Sequence, residues 1–187
     1  MARRIGFKNI CVAKLTSDTD SQPCYQEYVK VPGAISLKTS DEYGEYTFYS
    51  DDKIEESGKK LVKSEIEIEV GYITNELKAT LTGIKYDPES GKTYKNANAT
   101  QPIFALAYEM PKSNGKSDLR VIYKCTFSIE ESESTTIEDG IESNNFVIKG
   151  VAVPLSSNGN LDMEISTDDD AEGAETVIES FFTTVQV

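Results

Sequence analysis

"SEIEIEVG", Ser64 to Gly71, decides the fold: Ile66, Ile68 and Val70 alternate strictly with Glu65, Glu67 and Glu69. Period two marks a β-strand with one dry and one wet face, because successive side chains leave opposite sides of the pleat. The three carboxylates therefore share one surface. Neighbours on it stand about 7 Å apart, where Coulomb repulsion in water is about 0.6 kcal/mol per pair and rises several-fold where water is scarce. Such a face must be wet or matched by cations. In the plainest arrangement it is a solvated outer face whose charges meet Lys or Arg across the sheet.

Outward from this strand, turn signals punctuate short β-rich runs, with no low-complexity linker and no internal repeat. The pattern predicts strands over Gly6–Leu15, Ala34–Thr39, Tyr43–Tyr49, Leu61–Val70, Ile103–Met110, Leu119–Ser128, Asn145–Val153 and Leu161–Ser166. "KSNGKS" between two of them reads as a hairpin with Asn-Gly at its tip. One helix is predicted over Thr74–Thr82: Thr74 can cap it, Leu77 and Leu81 share a face, and Gly83 stops it. "SDDKIEESGKK", from Ser50, has almost no apolar content and reads as a long exposed loop over 50–60, with Asp51, Asp52, Lys53, Glu55 and Glu56 available to a partner. Near the end, "DDDAEGAETVIESFF" places acids at a helix N-terminus, where the helix dipole favours them, and brings Val177, Ile178 and Phe181 onto one face. With Phe182 they would form the contact stripe of a helix or docking arm over 168–187. The fold class expected is mainly β: a sandwich or barrel with one short helix and extended loop and terminal arms, in a single domain over 1–187.

The 187 residues are 38% hydrophobic, with 10 Tyr and 7 Phe, enough for a core. No apolar run approaches the roughly 18 residues of a membrane helix. The opening "MARRIGFKNICVAKL" lacks the apolar stretch of a secretory signal, so a soluble, cytoplasmically made chain is expected. Cys11, Cys24 and Cys125 are odd in number and widely spaced, and read as free thiols. The net charge of −13 is concentrated at one end: residues 1–124 carry 18 acids and 18 bases, residues 125–187 carry 14 acids and only Lys149. Such a surface repels nucleic acid, whose binding draws on basic groups that displace counterions.

Catalysis has little to stand on. With no histidine, His-based triads, the commonest general base and most zinc sites are excluded. The carboxylates sit on exposed runs, so no enzyme and no cofactor are expected. "NGKS" at Asn114–Ser117 resembles the end of a phosphate-binding loop, but Met110 stands where its first glycine belongs and a hairpin replaces the strand-to-helix turn. Asp168, Asp170, Glu172 and Glu179 stand at calcium-loop offsets, a weak alternative. Glu172 is longer than the usual Asp or Asn, and "LDMEIS" before it alternates like a strand where a helix is needed. "NAT" at Asn98 would be a glycosylation sequon only in a secreted chain.

Several segments together carry a family likeness. "IGFKNICVAKLTSD", "TFYSDDK" before the 50–60 segment, "IEIEVGYITNELKATLTG", "KSNGK" followed by "VIYKCTF", and the ending "ESFFTTV" resemble, in this order, the major tail protein family of long-tailed phages of Gram-positive bacteria. The strongly acidic last third and the Phe181-Phe182 pair, where a Trp-Phe-like pair belongs, depart from it. The resemblance implies a structural tail-tube subunit of the virion, assembled in the host cytoplasm into hexameric rings that stack. It implies that inner sheets line a lumen through which genomic DNA passes non-specifically, with a tape-measure protein and a tail terminator as further partners and no membrane. Long hairpin and terminal arms would reach the next ring. Glu65, Glu67 and Glu69 are then candidates to line that lumen. The alternative for this face is an external position, paired with Arg120 and Lys124 on their own predicted strand. A different class, a non-enzymatic β-sandwich surface or carbohydrate-binding module, is disfavoured by the missing signal and by the absence of Trp for sugar stacking.

Overall fold

The computed structural model describes residues 2–19, 22–50, 53–130 and 145–187. Along them run β1 (Lys8–Asp18), β2 (Pro23–Tyr25), β3 (Val29–Lys30), β4 (Ala34–Ser50), β5 (Lys53–Val70), α1 (Asn75–Thr82), β6 (Lys85–Asp87), β7 (Lys92–Tyr94), β8 (Ile103–Pro111), β9 (Ser117–Glu130), β10 (Phe146–Ala152), β11 (Asp162–Ser166) and α2 (Ala174–Ser180). The chain is mainly β. Its principal sheet has the order β2-β1-β8-β9-β10-β5-β4, with β3 added to β1 and β11 to β9, while β6 and β7 form a hairpin of their own. All of these pairings are antiparallel.

The long strand β9 turns the sheet. Its first half pairs with β11 and its second half with β10, while β8 follows it from Ser117 to Thr126. Against β8, two residues of β9 are passed between the pairs Phe104↔Cys125 and Leu106↔Ile122, a bulge that bends a strand and raises its twist. The sheet thus folds over on itself. Ile66, Ile68, Val70 and Ile148 of one half meet Ile10, Val12, Leu106 and Ile122 of the other in one core, with Leu77 and Leu81 of α1 packed in. Helix α1 ends as its sequence dictates. Thr74 accepts a hydrogen bond from Leu77 N at 3.2 Å, and Gly83 closes the helix at φ 74°, where an added Cβ would lie 2.4 Å from Thr100 O.

A second core lies on the other face of the β1/β8/β9 strands, where Cys11, Ala105, Ala107, Leu119, Val121 and Tyr123 are covered by Leu155 and Phe181. Of the two expectations for 168–187, the helix is present as α2, and the docking arm is corrected. Phe181 is fully buried and Ile178 and Phe182 pack on the same core, because the small side chains of Ala105 and Ala107 leave a hollow that the C-terminal aromatics fill.

The loop expected over 50–60 is also corrected. Residues Lys53–Lys60 are the first half of β5, and the two strands expected over 34–49 are one strand, β4. β4 and β5 pair from Ala34↔Val70 to Ser50↔Lys53. Asp51 and Asp52 lie outside the described residues. Hydrophobic periodicity records one-sided burial. A ribbon wet on both faces has no such period, yet its ladder satisfies its backbone groups.

Candidate functional site

Two neighbouring surfaces of the β4–β5 hairpin concentrate what the folded body leaves unused. The first is the wet face of β5. Ile66, Ile68 and Val70 are at most 2% exposed, while Glu65 and Glu67 are exposed and Glu69 is half-buried. The alternation therefore does orient three carboxylates onto one side. Their partners are not Arg120 and Lys124. Glu65 binds Lys63 at 3.0 Å; Glu69 accepts hydrogen bonds from Ser36 Oγ at 3.1 Å and Asn145 Nδ2 at 2.7 Å. Glu67 stands directly opposite Lys38 on one side and Lys149 on the other. A shallow depression of about 500 Å³ opens on this face, lined by Lys38, Ser40, Glu65, Glu67, Ser128 and Lys149. The face is thus a mosaic of acids, lysines and hydroxyls, with Val151 exposed among them.

Arg120 is engaged elsewhere. Its guanidinium binds Asp162 at 2.7 Å and donates to Tyr108 Oη at 3.4 Å and to Thr39 Oγ1 at 3.5 Å. Lys124 sits where β9 passes from β11 to β10, and binds Asp18 at 2.6 Å. Burial alone would raise the Asp18 pKa, but Lys124 and the Ser156 amide hold that carboxyl well below the usual range. Neither cation reaches the glutamates because β10 lies between β5 and the second half of β9, while Arg120 belongs to the first half, which pairs with β11, and Lys124 stands at the bulge between the two.

The second surface is the ribbon. β10 accompanies β5 only as far as the pair Ala152↔Ser64; beyond it, among the described residues, β4 and β5 have only each other. Register skips beside Glu42/Tyr43 and Phe48/Tyr49 twist the ribbon. Tyr46 and Phe48 meet on one face with ring centroids 5.6 Å apart and planes tilted by 48°, and Tyr46 lies over Gly58, where any Cβ would come within 2.6 Å of its hydroxyl. Tyr43 and Tyr49 point to the opposite face, with Ile54 paired to Tyr49. Tyr43, Phe48, Tyr49 and Ile54 are 52–70% exposed. Glu45–Lys59 at 2.7 Å and Glu42–Lys63 at 2.9 Å are ion pairs of the ribbon among the described residues. Lys53, Glu55 and Glu56 are exposed, with Glu56 accepting from Tyr46 Oη at 3.3 Å. The sequence signal for this surface was the aromatic spacing "YGEYTFY", legible as a strand but not as an uncovered one.

The calcium-loop alternative has no geometry behind it. Asp168 is bound to Lys112 at 2.8 Å, and among the described residues no three acidic or Cys side chains gather as a metal would require. Cys11, Cys24 and Cys125 are free thiols, and burial pushes the Cys11 pKa up to about 12. No helix among the described residues is long and apolar enough to cross a membrane. No family model matches the sequence, and no curated protein is significantly similar to it.

Proposed function

We propose that the chain is a self-assembling structural subunit of tail-tube type, whose copies close into rings and stack into a tube that conducts DNA. One observation carries this reading: a two-stranded ribbon that leaves the body with aromatic side chains on both faces. An isolated hairpin is marginal in water, and exposed apolar groups grouped in this way mark an interaction surface. The outer edge of β4, unpaired among the described residues, offers further backbone donors and acceptors to another strand. A second copy of the chain satisfies both demands by repetition, and a contact between unlike surfaces that recurs from copy to copy closes into a ring or extends into a filament. The mosaic face of Glu65, Glu67 and Glu69 suits a lumen, since a wall whose lysines are matched by neighbouring acids offers DNA little counterion release.

The test removes the outer part of the ribbon and spares the body. Replacing Tyr46–Gly58 with Asn-Gly joins the paired residues Glu45 and Lys59 through a two-residue hairpin turn. The variant should keep the thermal midpoint of the parent within a few degrees, and electron microscopy should show rings or tubes for the parent only. Compact monomers for the parent at every concentration would overturn the assembly reading.

A further inference from the structure

We infer that residues 2–7 form a charge-latched strap, held to the body chiefly by Arg4 and able to leave it without unfolding the rest. The strap runs antiparallel to the end of β8. Ile5 N donates to Pro111 O at 2.8 Å, Ser113 N to Arg3 O at 2.8 Å and Arg3 N to Ser113 Oγ at 3.1 Å, with Arg4 opposite Lys112. These few bonds are solvated, and little burial supports them: residues 2–6 are exposed, Ile5 at 69%. Phe7 is the strap's one side chain packed on the core, at the end where the strap joins β1.

The Arg4 side chain does more. Its Nε binds Asp118 at 2.7 Å and its guanidinium also meets Glu164. The Asp118 side chain is only 8% exposed, so its charge needs partners. It has two cations on it, Arg4 from the strap and Lys112 from the body at 2.5 Å, and it accepts a hydrogen bond from Ser166 Oγ at 2.6 Å. Lys112 in turn binds Asp168.

That redundancy makes the device releasable. When the strap leaves, Asp118 keeps Lys112 and Ser166, so no bare charge is left in the body. Arg4 enters water, where it is already 48% exposed. The strap loses its main anchor; the body loses one of three partners at Asp118 and the Arg4 contact at Glu164, whose 38% exposed side chain water can serve.

Hydrogen exchange on the full chain tests this. Arg4→Gln should raise exchange at the amides of Arg3, Ile5 and Ser113 about tenfold, the response of a local opening, while Ala105–Tyr108 of β8 exchange as before. Arg4→Lys should restore part of the protection. In the parent, 1 M NaCl, which screens over about 3 Å, should loosen the same three amides, and in Arg4→Gln it should add nothing. Unchanged exchange at the three amides in Arg4→Gln would show that backbone pairing holds the strap. A rise spread over β8 and β9 together would make Arg4 part of the global fold. Either result overturns the latch.

Discussion

Glu67 shows how much one side chain's role depends on its cross-strand neighbours. Read along the strand it is the middle of three repelling carboxylates; across the sheet it lies between Lys38 and Lys149. Glu67→Lys would set three ammonium groups in a row, each directly opposed like pair costing about 0.2–1 kcal/mol. The denaturation midpoint should fall accordingly, and by more than for Glu65→Lys, which faces Ser40 and Val151 across the sheet and loses only its solvated pair with Lys63. Equal midpoints for the two variants would show that the face is too well hydrated for register to matter. For testing a lumen, Glu→Gln at 65, 67 and 69 is therefore the better substitution, since it removes charge without opposing lysines. The outcome expected of the tube reading is intact tubes with altered DNA passage.

At the scale of elements, the C-terminal helix and the ribbon exchange the roles their sequences suggest. The apolar stripe of 177–182 looks like an arm awaiting a partner, yet Phe181 is buried and completes the second core over Ala105 and Ala107. Phe181→Ala should cost about 3–5 kcal/mol, the range for emptying a buried aromatic site. Truncation after Asp170 should uncover the Cys11, Val121 and Tyr123 face, and a chain that stays monomeric with an unchanged thermal midpoint would contradict this packing. The polar 53–60 segment looks like a loop and is half of a ribbon. Its aromatic partners lie on the other strand, so neither strand alone displays the surface they make together.

For the molecule as a whole, buried carboxylates held by cations set the pH range of stability. Burial would raise the pKa of Asp18 and Asp118, but their partners win: Lys124 and the Ser156 amide for the first, Lys112, Ser166 and Arg4 for the second. A carboxyl with a lower pKa folded than unfolded adds stability that is fully present above its unfolded value, near 4, and is lost progressively as pH falls from there through the lower folded value. The thermal midpoint should therefore hold steady above about pH 5 and drop toward pH 3, with a shallower drop in Asp18→Asn. A midpoint flat to pH 3 would show that these pairs contribute nothing net. The local sequence by itself determined the alternating strand, the capped helix and the Asn-Gly hairpin, because each follows from periodicity or from the conformational preference of a few adjacent residues. Only the tertiary structure decided that Arg120 and Lys124 serve Asp162 and Asp18, that the C-terminal aromatics turn inward, and that 53–60 is strand. The first two outcomes depend on which distant segments meet, β11 and β1 at β9 and the C-terminus over Ala105 and Ala107, and no short window contains both partners. The third lies within one hairpin, but a ribbon wet on both faces carries no burial period to read.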